Sequence, residues 1–308
     1  MRIGFALPQI AGLGGPENIE KVTKCAEELG YDSLWVLDRL LAPVQPRAPY
    51  PASADGSLPA QYRSVLDPVG TLTFAAAHSK RIALGTSILN LPWYSPVLLA
   101  RQLTTLDVLS GGRLRVGFGI GWSPDEYEAA GSPWNQRGKR ADEYVQVLKT
   151  IWTTDPVEFS GKYTKIAKSY INPKPVQRPH PPIFMAAYTP GAMQRTAREA
   201  NGWMPVGVPI AAIGQMYDGI KQMAKEAGRD PAKLELLVRA NPEFSIQPIE
   251  KDRADFMGTA EQIAGDVAAV RKLGASEIIF DVHFSPDVKD GAGMLEKLEQ
   301  LGKMAKVG

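Results

Sequence analysis

The chain is predicted to fold as α/β, a single (βα)8 barrel (TIM barrel) with insertion loops, one domain over residues 1–308. Three observations predict it. Short β-branched and aromatic runs alternate with stretches of helical periodicity. The alternation repeats eight times along the chain, the number that closes a parallel barrel. No strand-rich interval and no shift of composition marks a second unit, and regular alternation implies a parallel sheet. An open doubly wound sheet is the alternative that such a pattern leaves.

The strands are read at 2–8, 33–38, 81–89, 113–120, 182–187, 202–206, 234–240 and 277–284. The first apolar run carries one positive charge and stops at Pro8, too short for a signal peptide, and so reads as a strand. The helices are read at 17–29, 67–78, 96–109, 139–152, 190–201, 210–227, 259–273 and 291–304. In the first, Ile19, Val22, Ala26 and Leu29 share a face; in the fourth, Tyr144, Leu148, Ile151 and Trp152 recur at helical spacing. Gly30, Gly228 and Gly274 follow three of these helices and suit the left-handed turn that closes them. Thr259 with Gln262 is a capping box, and Thr189 is an N-cap with Pro190 at the first helical position.

Three loops hold the remaining length. Residues 40–66 are rich in Pro, Ala and Ser, and residues 122–138 carry two Trp. Both follow strands, so both lie on the carboxyl face, where barrel enzymes place their sites. Residues 154–181 follow a helix, begin on the opposite face, and read as a structural belt with two short strands.

Composition excludes several classes. A formal charge of +2 argues for neither nucleic acid nor an anionic membrane surface as partner. No apolar run is long enough to span a bilayer. Cys25, the single cysteine, cannot form an internal disulfide; beside Val22, Ala26 and Leu29 it reads as a buried structural thiol. A cytoplasmic protein is expected. His78, His180 and His283 lie far apart without metal-ligand spacing, so no metal is expected. Neither a Gly-x-Ser-x-Gly elbow nor a phosphate loop ending in Gly-Lys-Ser/Thr occurs. Paired-carboxylate hydrolysis by Asp38, Glu126 and Asp281 is not excluded by spacing, though no specific pairing is indicated.

The strand ends carry the candidate chemistry. Asp38 and Arg39 end the second apolar run, as a site pair or as a salt-bridged rim pair. The fourth strand ends Gly117-Phe-Gly119-Ile-Gly121-Trp122; its glycines either admit a ligand close to the backbone or pack tightly at the rim. Trp122 stands where a dinucleotide fingerprint needs its third glycine. The helix after Thr189 offers unpaired N–H groups to an anion. In the eighth strand Phe280, Val282 and Phe284 alternate with Asp281 and His283. The apolar set must pack on helices, which turns Asp281 and His283 inward, where they need a ligand or each other.

Six segments together resemble the luciferase-like monooxygenase superfamily, and more narrowly its coenzyme F420-dependent branch. They are Ala26-Glu-Glu-Leu-Gly-Tyr-Asp-Ser-Leu-Trp-Val-Leu-Asp38, Arg81-Ile-Ala-Leu-Gly-Thr-Ser-Ile-Leu89, residues 100–122, 137–143 and 173–182, and Gly258-Thr-Ala-Glu-Gln-Ile263. The resemblance implies a (βα)8 barrel, a homodimer, and binding of coenzyme F420, with FMN as the alternative. It implies that Ser87 and Ile88 form a bulge, often a non-prolyl cis peptide, behind the cofactor ring. It places Gly119, Ile120 and Gly121 along the cofactor, Tyr188, Thr189 and Gly191 at its phosphate, and Asp38 at the acidic position after strand 2.

Two departures bear on the reaction. Members that oxidise a sugar phosphate carry His at the position of Arg39 and Glu at that of Trp122, so the base for an alcohol is missing. Tyr188 also replaces a frequent glycine. The implied activity is therefore hydride transfer from reduced F420 to a small unsaturated or carbonyl substrate. Trp122, Tyr188 and the 40–66 loop would cover that substrate, and Arg39 and His283 are the candidate catalytic residues, for anion stabilisation and proton delivery. Arg39, Arg47, Arg63 and Arg239 are expected to meet the phosphate and glutamate tail of F420. An FMN-dependent monooxygenase fed by a separate reductase and a cofactor-binding protein without turnover are the other readings.

Overall fold

Eight parallel strands close on one another in the computed structural model, which describes residues 1–53 and 55–307. They are β1 (Arg2–Ala6), β2 (Ser33–Val36), β3 (Ala83–Thr86), β4 (Leu114–Gly119), β5 (Ile183–Met185), β6 (Gly202–Trp203), β7 (Glu235–Ala240) and β8 (Glu277–Phe280). The order around the barrel is β3-β2-β1-β8-β7-β6-β5-β4, and Leu84 and Gly85 of β3 pair with Leu114 and Arg115 of β4 to complete the ring. The (βα)8 barrel expected from the alternating pattern is the fold of this chain.

Each expected strand is present and shorter than its apolar run, in most of them because the carboxyl end leaves the ladder at the mouth of the barrel; β7 keeps its expected end at Ala240. The run at 81–89 shows this directly. β3 stops at Thr86, the Ser87–Ile88 peptide is cis, and pairing resumes at Leu89–Asn90 against Phe118 and Gly119. Across this break the Thr86 hydroxyl donates to the Gly117 carbonyl and accepts from the Gly117 N–H, both at 2.9 Å.

The helices are α1 (Pro16–Glu28), α2 (Pro68–Ala77), α3 (Pro96–Leu109), α4 (Pro124–Ala129), α5 (Arg137–Thr153), α6 (Pro190–Glu199), α7 (Ile210–Glu226), α8 (Ala260–Lys272) and α9 (Gly291–Val307). The capping box at Thr259 and Gln262 forms, and Gly30, Gly228 and Gly274 hold φ of +76°, +74° and +77°. The short α4 lies inside the segment expected to be a loop. Its signal was the cap Ser123 before Pro124 with Asp125 and Glu126 in the first turn. In the belt, Val157–Ser160 and Lys165–Ser169 pair antiparallel, and Glu143 accepts the N–H groups of Lys162, Tyr163 and Thr164 at 2.6–2.8 Å. Cys25 is half-buried rather than buried, because Val22 and Ala26 take the core-facing positions of α1.

Strand alternation separates two apolar regions. Outward residues such as Phe5, Leu34, Val116, Val238, Phe280 and Val282 pack beneath the helices. Inward residues Trp35, Phe184, Met204, Leu237 and Ile279 form a plug across the barrel interior. The Trp35 ring fills so much of this space that a Cβ on Gly85 would overlap it. Below the plug lies a charged floor, in which the buried Glu277 carboxylate is paired with Arg115 and with Arg2 and accepts from Trp35 Nε1 at 3.0 Å. A carboxylate so deeply buried requires such partners.

The Trp35 plug sets a stability prediction. Gly85→Ala should cost about 1–3 kcal/mol through overpacking, read as a lower urea midpoint. The same substitution should cost less when Trp35 is replaced by Phe, because the bicyclic indole whose benzo ring it strikes is then a single, smaller ring system better able to move.

Candidate functional site

The carboxyl ends of β2, β3 and β4 bring one carboxyl into an unusual state. Asp38 follows the end of β2 and accepts from the Asn90 N–H at 2.9 Å and the Tyr94 hydroxyl at 3.0 Å. Burial pushes this carboxyl up to about 7; the two hydrogen bonds oppose the rise, and Glu126 and Asp67 add to it.

Arg39 does not form the expected rim pair with Asp38. It turns to the fully buried Glu126 of α4, with Nη1 donating to Oε2 at 2.7 Å. Its guanidinium lies 4.8 Å from the Tyr62 ring centre and 5.1 Å from that of Trp122, and its Nε is buried without a partner. The second Glu126 oxygen accepts the Leu40 N–H at 2.9 Å. Farther along the same loop, Arg47 pairs with Asp125 at 2.8 Å and with Glu128 at 2.5 Å. Arg39, just before it, and Arg47, within it, thus clasp the 40–66 segment, in which Ala54 lies outside the described residues, onto α4. Aromatic contacts complete the cover: Tyr50 meets Trp122 at 5.4 Å and Tyr62 meets Phe284 at 5.2 Å between ring centres. Phe284 therefore joins the lid instead of packing under the outer helices, since β8 ends at Phe280 and the chain turns over the mouth.

Asp281 and His283 do face inward. His283 is 3% exposed, and both ring nitrogens are engaged: Nδ1 lies 2.7 Å from Asp281 Oδ1, and Nε2 accepts the Gln9 N–H at 3.2 Å. This fixes a neutral ring with its proton on Nδ1, directed at Asp281. Proton delivery to a substrate, expected of His283, is not what this geometry offers, because no ring nitrogen is left to present a proton to the mouth. Burial alone would raise the Asp281 carboxyl, but Arg239, ahead of His283, holds it well below the usual carboxylate range. The Asp281 Oδ2 is paired with Arg239, whose other nitrogen donates to the Ser87 carbonyl at 2.8 Å. The space enclosed by Trp35, Ser87, Arg239, Asp281 and His283 is about 10 Å3, room for about one water.

The strand 4 glycines serve packing. A Cβ on Gly119 would strike the Ile88 side chain, and one on Gly117 the Thr86 carbonyl. Gly121, at φ +66°, holds the left-handed turn that favours a residue without a side chain. Beside Ile120 the surface opens into a cleft of about 260 Å3, lined by Gly138, Lys139, Thr189, Gly191, Arg195 and Arg198. The first turns of α5 and α6 both border it. Thr189 caps α6 by accepting the Ala192 N–H at 3.4 Å, and a Cβ on Gly191 would meet nothing within 4 Å. Arg195 is held by Asp142 at 2.8 Å and by the Gly138 carbonyl at 2.7 Å. Helix amino termini with nearby cations make an anion site. Tyr188 is 48% exposed, and its hydroxyl lies 3.3 Å from the Val206 carbonyl.

The structure thus brings Asp38, Arg39 and Trp122 to the lid side of the mouth, Ser87, Ile88 and His283 beneath it, and Thr189 and Gly191 to the cleft. Of the four arginines expected to meet an anionic tail, Arg39, Arg47 and Arg239 are already paired with carboxylates, and Arg63 is exposed. Lys139, Arg195 and Arg198 were not singled out from the sequence, nor were Gln9 and Tyr94. Lys139 sits within the matched segment 137–143, so that signal was available; Gln9 and Tyr94 become visible only through their partners. Among the described residues no group of three or more His, Cys, Asp or Glu side chains could hold a metal ion, and no helix is long and apolar enough to cross a membrane.

A family model described as luciferase-like monooxygenase matches residues 2–245. An uncharacterised protein of Mycobacterium tuberculosis (strain ATCC 25618 / H37Rv) is 33% identical over 258 residues, 82% of this chain and 91% of its own. An FMNH2-dependent dimethylsulfone monooxygenase of Pseudomonas putida is 34% identical over 265 residues, 69% of this chain and 73% of its own. Among solved structures, the monooxygenase RslO1 of Streptomyces bottropensis superposes with a TM-score of 0.81 at 21% identity, over 100% of this chain and 99% of that one. The coenzyme F420 dependent tetrahydromethanopterin reductase of Methanopyrus kandleri gives 0.76 at 19% identity, over 99% and 98%. At such identities the two structures speak to the fold alone.

The Asp38 carboxyl implies a pH dependence of stability. Its folded value, about 7, lies above the ordinary 3.8, so the folded chain holds this proton more tightly than the unfolded chain does. The contribution is complete below about 4 and is lost as pH rises through about 7. Asp281 acts in the opposite sense, contributing above the ordinary carboxylate value and failing in acid. Asp38→Asn should therefore remove the decline in stability between about pH 4 and pH 7 and raise stability at pH 8, read from urea midpoints across pH.

Proposed function

The chain belongs to the luciferase-like monooxygenase family, and from that premise we propose that it is an oxidoreductase that reduces a small unsaturated or carbonyl substrate with reduced coenzyme F420. The observation that carries this reading is Asp38: a carboxyl at the barrel mouth, oriented by Asn90 and Tyr94, that still holds a proton near neutrality. Hydride addition to such a substrate leaves an oxyanion or enolate that must be protonated, and an acid with a value near the working pH is suited to that step.

The residues present fit a phosphate-bearing cofactor of this kind. Lys139, Arg198, Thr189 and Gly191 would hold its phosphate in the cleft, where two helix amino termini and two cations converge; Asp142, also in the lining, is answered by Arg195 at 2.8 Å and lies 3.6 Å from Arg198. The Ser87–Ile88 bulge, Ile120 and Gly121 would lie along its ring. Reduced F420, when bound, supplies the hydride. Asp38 supplies the proton from its carboxyl, so the substrate gains two electrons and two hydrogens in all. Arg39 is permanently charged and stabilises the developing anion, and its unpartnered Nε leaves one donor for that purpose. Trp122 and Tyr188 exclude water at the lid. His283 contributes by position, through Asp281 and Gln9.

A second reading, an FMN-dependent monooxygenase, is favoured by one relative and one feature. The relative is the Pseudomonas putida enzyme, whose name specifies FMNH2. The feature is the pairing of Arg39, Arg47 and Arg239 with carboxylates, which leaves fewer cations for a poly-anionic tail.

Fluorescence titration of the purified protein separates the two. F420 is expected to bind at least about tenfold tighter than FMN, and Gly191→Glu to weaken that binding with an unchanged circular dichroism spectrum, since a carboxylate would occupy the anion's place. FMN binding without F420 binding would overturn the first reading. With reduced F420 and a panel of enones and ketones, wild-type turnover should fall as pH rises through about 7. Asp38→Asn should lower it about a hundredfold and flatten that limb, within the usual range for a general acid. Binding without turnover of any acceptor would leave a cofactor-binding protein.

A further inference from the structure

One hydrogen-bonded chain runs beneath the mouth from the β3 break to the lid. It begins at the Ser87 carbonyl, within the cis peptide, which accepts from Arg239 Nη1 at 2.8 Å. Arg239 Nη2 pairs with Asp281, and the other oxygen of Asp281 accepts from His283 Nδ1 at 2.7 Å and from the His283 N–H at 3.0 Å. His283 Nε2 accepts the Gln9 N–H at 3.2 Å. The Gln9 side chain then spans two segments. Its Nε2 donates to the Leu37 carbonyl at 2.8 Å and the Leu66 carbonyl at 2.6 Å, while its Oε1 accepts the Leu37 N–H at 2.8 Å. Leu37 stands just before the lid segment and Leu66 closes it, so one amide pins both ends of the 40–66 loop.

Every side chain of this relay is buried or nearly so, with Gln9 at 1% and Asp281 at 2% exposure. In such surroundings an unmet donor or acceptor is costly, so Arg239, Asp281 and His283 set one another's rotamer or tautomer, and His283 fixes the Gln9 backbone from which the bridging side chain departs. His283 can accept from Gln9 only while its proton stays on Nδ1, and it stays there because Asp281 faces it. Asp281 is held ionised by Arg239, and Arg239 is aimed by the Ser87 carbonyl.

We propose that Gln9 and Arg239 are positioning residues of the reaction, tying the lid over the mouth to the Ser87–Ile88 platform on which the cofactor ring would rest. The role of the platform rests on the function proposed above; the tie between lid and platform does not. What happens at Ser87 is passed through the side chains of Arg239, Asp281 and His283 to the Gln9 backbone, and from there by the Gln9 side chain to the loop ends. By reciprocity, occupation of the platform strengthens closure of the lid.

The test reads the lid directly. Full-length protein without cofactor is treated with trypsin, and cleavage after Arg47 and Arg63, both within the loop, is timed by mass spectrometry. Gln9→Glu keeps the shape of the side chain but removes both donated hydrogen bonds, and should speed cleavage about tenfold. Arg239→Lys, which makes no hydrogen bond to the loop and keeps the charge, should speed it several-fold. The double variant should be cut no faster than Gln9→Glu, because both act on one chain. Should Gln9→Glu fail to fold, Gln9→Met removes the same donors without adding a charge and is read in the same way. Cleavage at the wild-type rate in Arg239→Lys, or rates that multiply in the double variant, would overturn the proposal. In a second arm, saturating F420 or FMN should slow cleavage of wild-type protein, and Gln9→Glu should still bind the cofactor but lose most of that protection. Equal protection in both proteins would overturn the coupling. Failure of the wild type to bind either cofactor would overturn the proposed function, leaving the cofactor-free arm to judge the relay.

Discussion

A charge buried inside a barrel has to be answered by an opposite charge, and the Arg239–Asp281 pair at the top of β7 and β8 is the answer on which the mouth depends. Because Asp281 stays ionised, it can orient His283, and because His283 is oriented it can receive the backbone of Gln9. Because Arg239 is held by that carboxylate, its second nitrogen reaches the Ser87 carbonyl at the point where the third strand breaks. Strand break, lid ends and first-strand terminus therefore share one electrostatic origin. Replacing either charge would leave the other buried and unmet, which costs far more than the pair contributes when intact.

The same constraint operates at the floor, with a different outcome. There Glu277 is enclosed by Arg2, Arg115, Ser33 and Trp35, so every acceptor is taken and nothing faces outward. The apolar plug of Trp35, Phe184, Met204, Leu237 and Ile279 separates floor from mouth. The mouth differs from the floor because the strands release their ends there. Beyond Val36 and Thr86, the last paired residues of β2 and β3, Asp38 and Ser87 take partners from other segments, and those partners also shape the mouth.

The upper face divides into two regions of opposite character. On one side lies a lid rich in aromatic rings, fastened by Arg39 and Arg47 to the acidic first turns of α4. On the other lies a polar cleft bordered by two helix amino termini and the cations Lys139, Arg195 and Arg198. Asp38 sits on the lid side, where burial and the acidic neighbours Glu126 and Asp67 favour its neutral form.

Much of this was legible in the sequence, because it depends on local periodicity. Eight alternating units, the capping box at Thr259, the cap at Thr189, the left-handed glycines and the inward facing of Asp281 and His283 all follow from side chains a few residues apart. Recurring segments likewise pointed to the family and to the Ser87–Ile88 bulge. Partnership was decided by the tertiary structure alone. Arg39 passes over its neighbour Asp38 for Glu126, 87 residues away, and His283 spends its second nitrogen on the backbone of Gln9, 274 residues away. The strand 4 glycines, open to two readings from the sequence, serve packing against Thr86 and Ile88. The physical reason is the closure of the barrel. Alternation along a strand determines which way a side chain points, but what it meets depends on which strands lie across the interior, and that is settled only when β3 and β4 complete the ring.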